Sequence, residues 1–257
     1  MRQIEAISVL FVFAMLRFLP VIALPSLSPL SWAPGMVRMA LLFVVALLSV
    51  FALPEIGYSQ SWLTAQGLFL ASLSELLIGL VFSLAIIIPQ AAIGFSMRVA
   101  DIQAGFSAAS MFNPAGQHEP ESLLGSILML VATVLFFILD LHLLLFQALM
   151  ESMRALPLGQ SAIQINIDGF MSLLGSCFLL GLAIAAPIIV GLFGVDVGIA
   201  YATRSMPQAN VYFLALPLKV IIALLLLAMT ASYLPALITV LYQDALSRIP
   251  LILGEEM

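Results

Sequence analysis

Long apolar stretches recur along the chain, at residues 4–25, 36–53, 68–89, 123–150, 170–195 and 211–241. A helix needs about 20 apolar residues to cross the hydrocarbon of a bilayer. These stretches approach or exceed that length, and the connectors between them hold most of the Pro, Gly, Asn, Gln and charge. Leu, Ala, Met and Ile dominate, without strict alternation of apolar and polar positions, so helices are favoured over a transmembrane barrel. Composition agrees: 63% of the 257 residues are hydrophobic and 8% are charged. About a quarter of a soluble domain's residues are charged, so this chain cannot coat a soluble globule of its size. The expected fold is an all-α integral membrane protein of about six long apolar, partly broken helices.

Charge excludes some functions and leaves orientation open. The net charge of −5 is spread along the chain, and no run of Lys or Arg offers a nucleic-acid footprint. If the segments alternate sides, one side receives Arg2, Arg154 and Arg248, and the other Arg38, Arg98 and Arg204 with Lys219 nearby. The positive-inside rule needs an asymmetry, and almost none is present. Arg2 resembles the start of a signal peptide, but Glu5 follows it and Arg17 interrupts the apolar run, which is therefore read as a retained first helix.

Chemistry-bearing motifs are sparse. The lone Cys177 cannot form an internal disulfide, and no Cys/His cluster has metal-ligand spacing. There is no phosphate-binding loop, dinucleotide fingerprint, nucleophile elbow or HExxH motif. An enzyme, a metal and a cofactor are not expected. Glu75, Asp140 and His142 stand inside apolar runs, where ionisable groups are costly and mark ion paths or buried pairs. Asp140 and His142 are two apart and point in different directions on a helix, which weakens a shared relay. A small secondary transporter using these three groups is the alternative reading. It should show inverted repeats, and none is evident.

Two segments concentrate the remaining signals. Residues 90–122 form the longest connector, with Arg98 and Asp101 at a spacing that shares a helix face. Beyond Gly105 come Phe106, the small residues Ser107, Ala108, Ala109 and Ser110, then Met111, Phe112, Asn113-Pro114 and Gly116. A re-entrant or pore-lining loop and an ordinary surface loop both fit this composition. In the second segment Gly194, Gly198 and Ala202 recur every four residues, a stripe that lets another helix approach closely. Asp196 and Arg204 lie along the same segment, and either intrachain packing or an intersubunit contact accounts for them. Pro20, Pro89, Pro187, Pro217 and Pro235 inside the apolar runs point to broken or strongly bent helices.

Assembled, these pieces resemble the FliR/SctT family of flagellar and type III secretion export apparatus proteins over nearly the whole length. The resemblance is carried by Asp101-Ile-Gln-Ala-Gly-Phe-Ser-Ala-Ala-Ser-Met-Phe-Asn-Pro114, by Asp140-Leu-His142 through Ala155-Leu-Pro157-Leu-Gly159, and by Arg204-Ser-Met-Pro-Gln-Ala-Asn210-Val-Tyr-Phe with Leu-Pro217-Leu. Arg17-Phe-Leu-Pro20 and Pro34-Gly-Met-Val-Arg38 also fit. The order and spacing of these pieces, not any one of them, make the resemblance specific.

The resemblance implies a single export-gate domain over 1–257, with N-terminal helices in 1–100, a plug loop in 101–122 and C-terminal helices in 123–257. It implies two companion gate proteins (FliP/SctR-like and FliQ/SctS-like), a FlhB/SctU-like switch protein, surrounding lipid and unfolded export substrates. It also implies a place in the bacterial inner membrane at the base of a flagellar or injectisome basal body, raised toward the periplasm. Phe106 to Pro114 with Gly116 would then plug the pore. Gly194, Asp196, Gly198, Ala202, Arg204 and Asn210 would face neighbouring subunits. Asp140-Leu-His142 and Leu156-Pro157-Leu-Gly159 lean toward the flagellar branch, Asp101-Ile-Gln103-Ala-Gly105 and Pro217-Leu-Lys219 toward the injectisome, and the flagellar branch is favoured.

Overall fold

Every regular element among the described residues is helical. The computed structural model describes residues 2–24, 33–52, 64–106, 122–159, 165–205 and 211–254, the side chains of 2–5 and 211–214 excepted. The helices are α1 (Arg2–Ile22), α2 (Gly35–Ala52), α3 (Ala65–Ala104), α4 (Leu123–Ile138), α5 (Leu141–Ala155), α6 (Ile167–Ser205), α7 (Val211–Thr230), α8 (Leu234–Ser247) and the short α9 (Ile249–Ile252). The apolar runs therefore became helices, as expected of an all-α membrane protein. Three helices, α2, α3 and α6, are each long and apolar enough to cross a bilayer. Counting each bent pair as one span raises the number to five.

One of the two breaks falls at a proline and the other does not. Pro20, Pro89, Pro187 and Pro217 all lie inside uninterrupted helices. Neighbouring groups can satisfy the carbonyls that a membrane-helix proline frees. The Ser83 hydroxyl donates at 3.3 Å to the Pro20 carbonyl, one of those that the end of α1 leaves without a helical partner. The 64° bend between α4 and α5 instead centres on Asp140, whose φ of 56° is left-handed. That conformation ends a right-handed helix by itself. The other bend, 71°, separates α7 from α8, just before Pro235. As a result the 123–150 and 211–241 stretches are each broken, whereas α3 and α6 run on for 40 and 39 residues.

The chain folds as two compact units built from interleaved segments. The first comprises Met1–Ile88, Asp140–Leu174 and Asp244–Met257; the second comprises Pro89–Leu139 and Gly175–Gln243. In the first, α1 packs against the early part of α3 so closely that a Cβ at Gly79 would collide with the Arg17 carbonyl. Phe13, Phe18, Ile78 and Phe82 fill the space around that crossing. In the second, Gly181 of α6 meets the Ala92 backbone of α3, with a would-be Cβ only 2.9 Å from the Ala92 carbonyl carbon. The rings of Phe136 and Tyr242 meet at a tilt of 55° with centroids 5.1 Å apart, and the thiol of Cys177 is buried. Outward faces stay apolar: Met36, Leu48 and Phe51 on α2 and Val190, Phe193, Val197 and Tyr201 on α6 are all exposed. Such a surface suits lipid or a protein partner rather than water.

Candidate functional site

Among the described residues, ion pairs with a buried member mark two places, one in each unit. In the first unit Arg17 of α1 is fully buried, as is Glu75 of α3. The guanidinium Nε donates to Glu75 Oε2 at 2.6 Å, Nη2 to the Leu156 carbonyl at 2.9 Å, and Nη1 to the Ser152 hydroxyl at 3.4 Å. The other carboxylate oxygen of Glu75 accepts the Gly159 N–H at 2.8 Å. Gly159 has φ +85°, a conformation that places its amide here and favours glycine. Two buried charges thus tie α1, α3 and the Leu156–Gly159 turn together, with both oxygens of the carboxylate occupied.

This arrangement bears on the transporter reading. Glu75 is committed to a saturated structural pair. Asp140 is exposed at the bend, and His142 is half-buried on the first turn of α5. Arg17, which the sequence shows only as an interruption of an apolar run, is the partner that Glu75 required.

In the second unit the polar groups gather where α3 ends and α4 begins. Asp101 lies in the last turn of α3 and is 4% exposed. Its Oδ1 accepts the Leu124 N–H at 3.0 Å and its Oδ2 accepts the Ser122 hydroxyl proton. Ser122 is itself the N-cap of α4, accepting the Gly125 N–H at 2.9 Å. The carboxylate and hydroxyl therefore satisfy N–H groups that a helix start leaves unpaired. At the end of α3, Gly105 takes φ +85° and donates to the Ile102 carbonyl at 3.2 Å. Lys219 of α7, 6% exposed, donates to the Gln103 carbonyl at 3.4 Å and forms an ion pair with Asp196 of α6. These contacts draw α3, α4, α6 and α7 into one polar stem.

The sequence-derived site residues fall differently with respect to this stem. Asp101 to Ala104 belong to helix α3 and not to a loop. Phe106 is half-buried just beyond Gly105. Ser107, Ala108, Ala109, Ser110, Met111, Phe112, Asn113, Pro114 and Gly116 lie outside the described residues, as does Asn210. Along α6, Gly194 and Gly198 are exposed, and a Cβ at either would meet nothing within 4 Å. Ala202 is half-buried and Arg204 is exposed near the helix end. Asp196 has an intrachain partner in Lys219, with its side chain still 40% exposed. Lys219 was legible in the sequence only as the sole lysine in an apolar run.

Known proteins resemble the chain along most of its length. The sequence profile of the bacterial export proteins, family 1, matches residues 8–245. The flagellar biosynthetic protein FliR of Escherichia coli (strain K12) is 26% identical over 95% of both chains. FliR of Buchnera aphidicola subsp. Acyrthosiphon pisum is 30% identical over 62% of each. Yop proteins translocation protein T of Yersinia pestis is 28% identical over 72% of each. The matches with the Buchnera and Bacillus subtilis FliR proteins span 62% and 64% of those relatives' lengths. With a profile match over all but the chain ends, the protein belongs to the bacterial export proteins, family 1, the FliR/SctT family of flagellar and type III secretion export apparatus proteins.

Proposed function

We propose that this chain is a subunit of the core gate of a type III export apparatus, and that residues 106–122 close the entrance pore for unfolded substrates. The observation that carries the reading is the stem: side chains from several helices fix the two ends between which residues 107–121 run. Small residues at 107–110 suit a narrow lumen, and Met111 and Phe112 supply deformable apolar contacts that exclude water. A gate that must yield to substrate works best with many weak contacts on a firm base.

The whole chain acts as one gate domain within a hetero-oligomer of FliP/SctR-like and FliQ/SctS-like companions, with a FlhB/SctU-like switch protein nearby. The open face around Gly194 and Gly198 supports a neighbouring helix at that position, with Ala202, Arg204 and Asn210 continuing the interface. The complex sits in the bacterial inner membrane at the base of the basal body, raised toward the periplasm. The flagellar branch is favoured over the injectisome.

Co-expression with both companions, followed by purification, tests the assembly; recovery of this chain alone or as a homo-oligomer would overturn it. Deleting residues 108–116 should leave assembly intact and raise ion or solute leakage through the closed channel. A deleted complex as tight as the parent would make the segment an ordinary connector. Restored motility in a strain lacking its own FliR protein is the expected outcome for the flagellar branch; restored injectisome secretion without motility would reverse that assignment.

A further inference from the structure

Each helix end bordering residues 107–121 is met by a charge of the sign that end favours. The last turn of α3 presents unpaired carbonyls and the negative end of the helix dipole, and the Lys219 ammonium sits on the Gln103 carbonyl. The first turn of α4 presents unpaired N–H groups and the positive end, and the Asp101 carboxylate takes the Leu124 N–H. Neither charge comes from the helix it caps: Asp101 is on α3 and serves α4, whereas Lys219 is on α7 and serves α3. Both are buried, and a buried lysine in an apolar helix is costly unless a partner holds it; here Asp196 does.

We propose that Asp101 and Lys219 are positioning residues that hold the facing ends of α3 and α4 as a fixed frame. Asp196 keeps the Lys219 ammonium aimed at the end of α3. The consequence for a closed channel rests on the gate reading above; the geometry of the frame does not.

Spin-label distances test the frame directly. With Cys177→Ala removing the only native thiol, Ile102→Cys and Leu123→Cys place labels at exposed sites beside the two caps. In the purified complex with its companions, the parent and Lys219→Arg should give one narrow distance distribution. Asp101→Ala and Lys219→Met should lose that narrow peak. Retention of the peak in both would overturn the proposal. If those variants fail to assemble, Asp101→Asn decides: it keeps the volume and one acceptor but loses the charge, so the peak should broaden, and an unchanged peak sinks the idea.

A leakage measurement then separates the two readings. Lys219→Met should leak as the 108–116 deletion does, and combining the two should add nothing. A deletion that leaks beside a tight Lys219→Met complex would overturn the frame's part in closure and spare the gate. A tight deletion beside broadened spin-label distances would overturn the gate and spare the frame.

Discussion

The Arg17–Glu75 pair and the Lys219–Asp196 pair join the same kinds of groups and do different jobs. The first has both side chains at or near zero exposure, and both carboxylate oxygens are taken. In the second only the lysine is buried, and Asp196 remains 40% exposed. A closed ion pair in a low-dielectric interior tolerates no loss of a partner, because the remaining charge has nowhere to go. A half-open pair can exchange its exposed partner for solvent or a neighbouring chain. Both charged centres are thus held from inside the chain, and only the second has a member that solvent or a neighbouring chain also reaches.

The contrast is broken most severely at Glu75. Glu75→Ala leaves the Arg17 guanidinium buried without its counter-ion and should cost about 3–5 kcal/mol. We expect loss of detergent-stable protein, read by thermal unfolding, with partial recovery when Arg17→Met is added. A single substitution as stable as the parent would mean that solvent reaches the pair.

Gly79→Ala probes the same unit sterically. Its new Cβ would press on the Arg17 backbone carbonyl, which no rotamer change relieves. Overpacking of this kind costs about 1–3 kcal/mol. The melting temperature should fall, and by more than for Gly175→Ala, where a Cβ meets nothing within 4 Å. Equal shifts at the two glycines would show that α1 and α3 adjust freely.

Asp196→Asn sharpens the other side of the comparison. The change leaves the buried Lys219 ammonium without its counter-ion, but water reaches the half-exposed site of the lost charge, so the unfolding midpoint should fall by less than for Glu75→Ala. A loss as large as that of Glu75→Ala would make the two pairs equivalent.

Smallest in the isolated chain, and largest in the complex, should be Gly198→Leu. Open space surrounds this position, so stability of the lone chain should be unchanged within error. Recovery of the complex with its companions should fall, because a bulky residue blocks helix approach. Undiminished recovery would remove the stripe from the interface.

Helices were legible in the sequence because each apolar run announces itself locally. The polar connections were not, because they join residues far apart along the chain: Arg17 to Glu75 across 58 positions and Lys219 to Gln103 across 116. Glu75 was visible as a costly charge that needed a partner, but nothing in the sequence named which one. Asp101 was read as sharing a face with Arg98; burial and the start of α4 drew it into the stem, while Arg98 stayed exposed. One of the two helix breaks, that at Asp140, was missed for a related reason. Proline is a visible signal but a tolerated one in apolar helices, whereas the left-handed backbone at Asp140 has no proline or glycine to advertise it.

Helix α3 has a consequence for how this chain can fit a bilayer. Forty residues of helix extend about 60 Å, twice the roughly 30 Å of a hydrocarbon core. Ordinary tilts reach only about 40°, so a bilayer cannot take up the whole helix as one span. Most of its apolar window is covered by the chain's own residues. The length beyond the hydrocarbon therefore stands outside the bilayer without baring a comparable apolar surface to water.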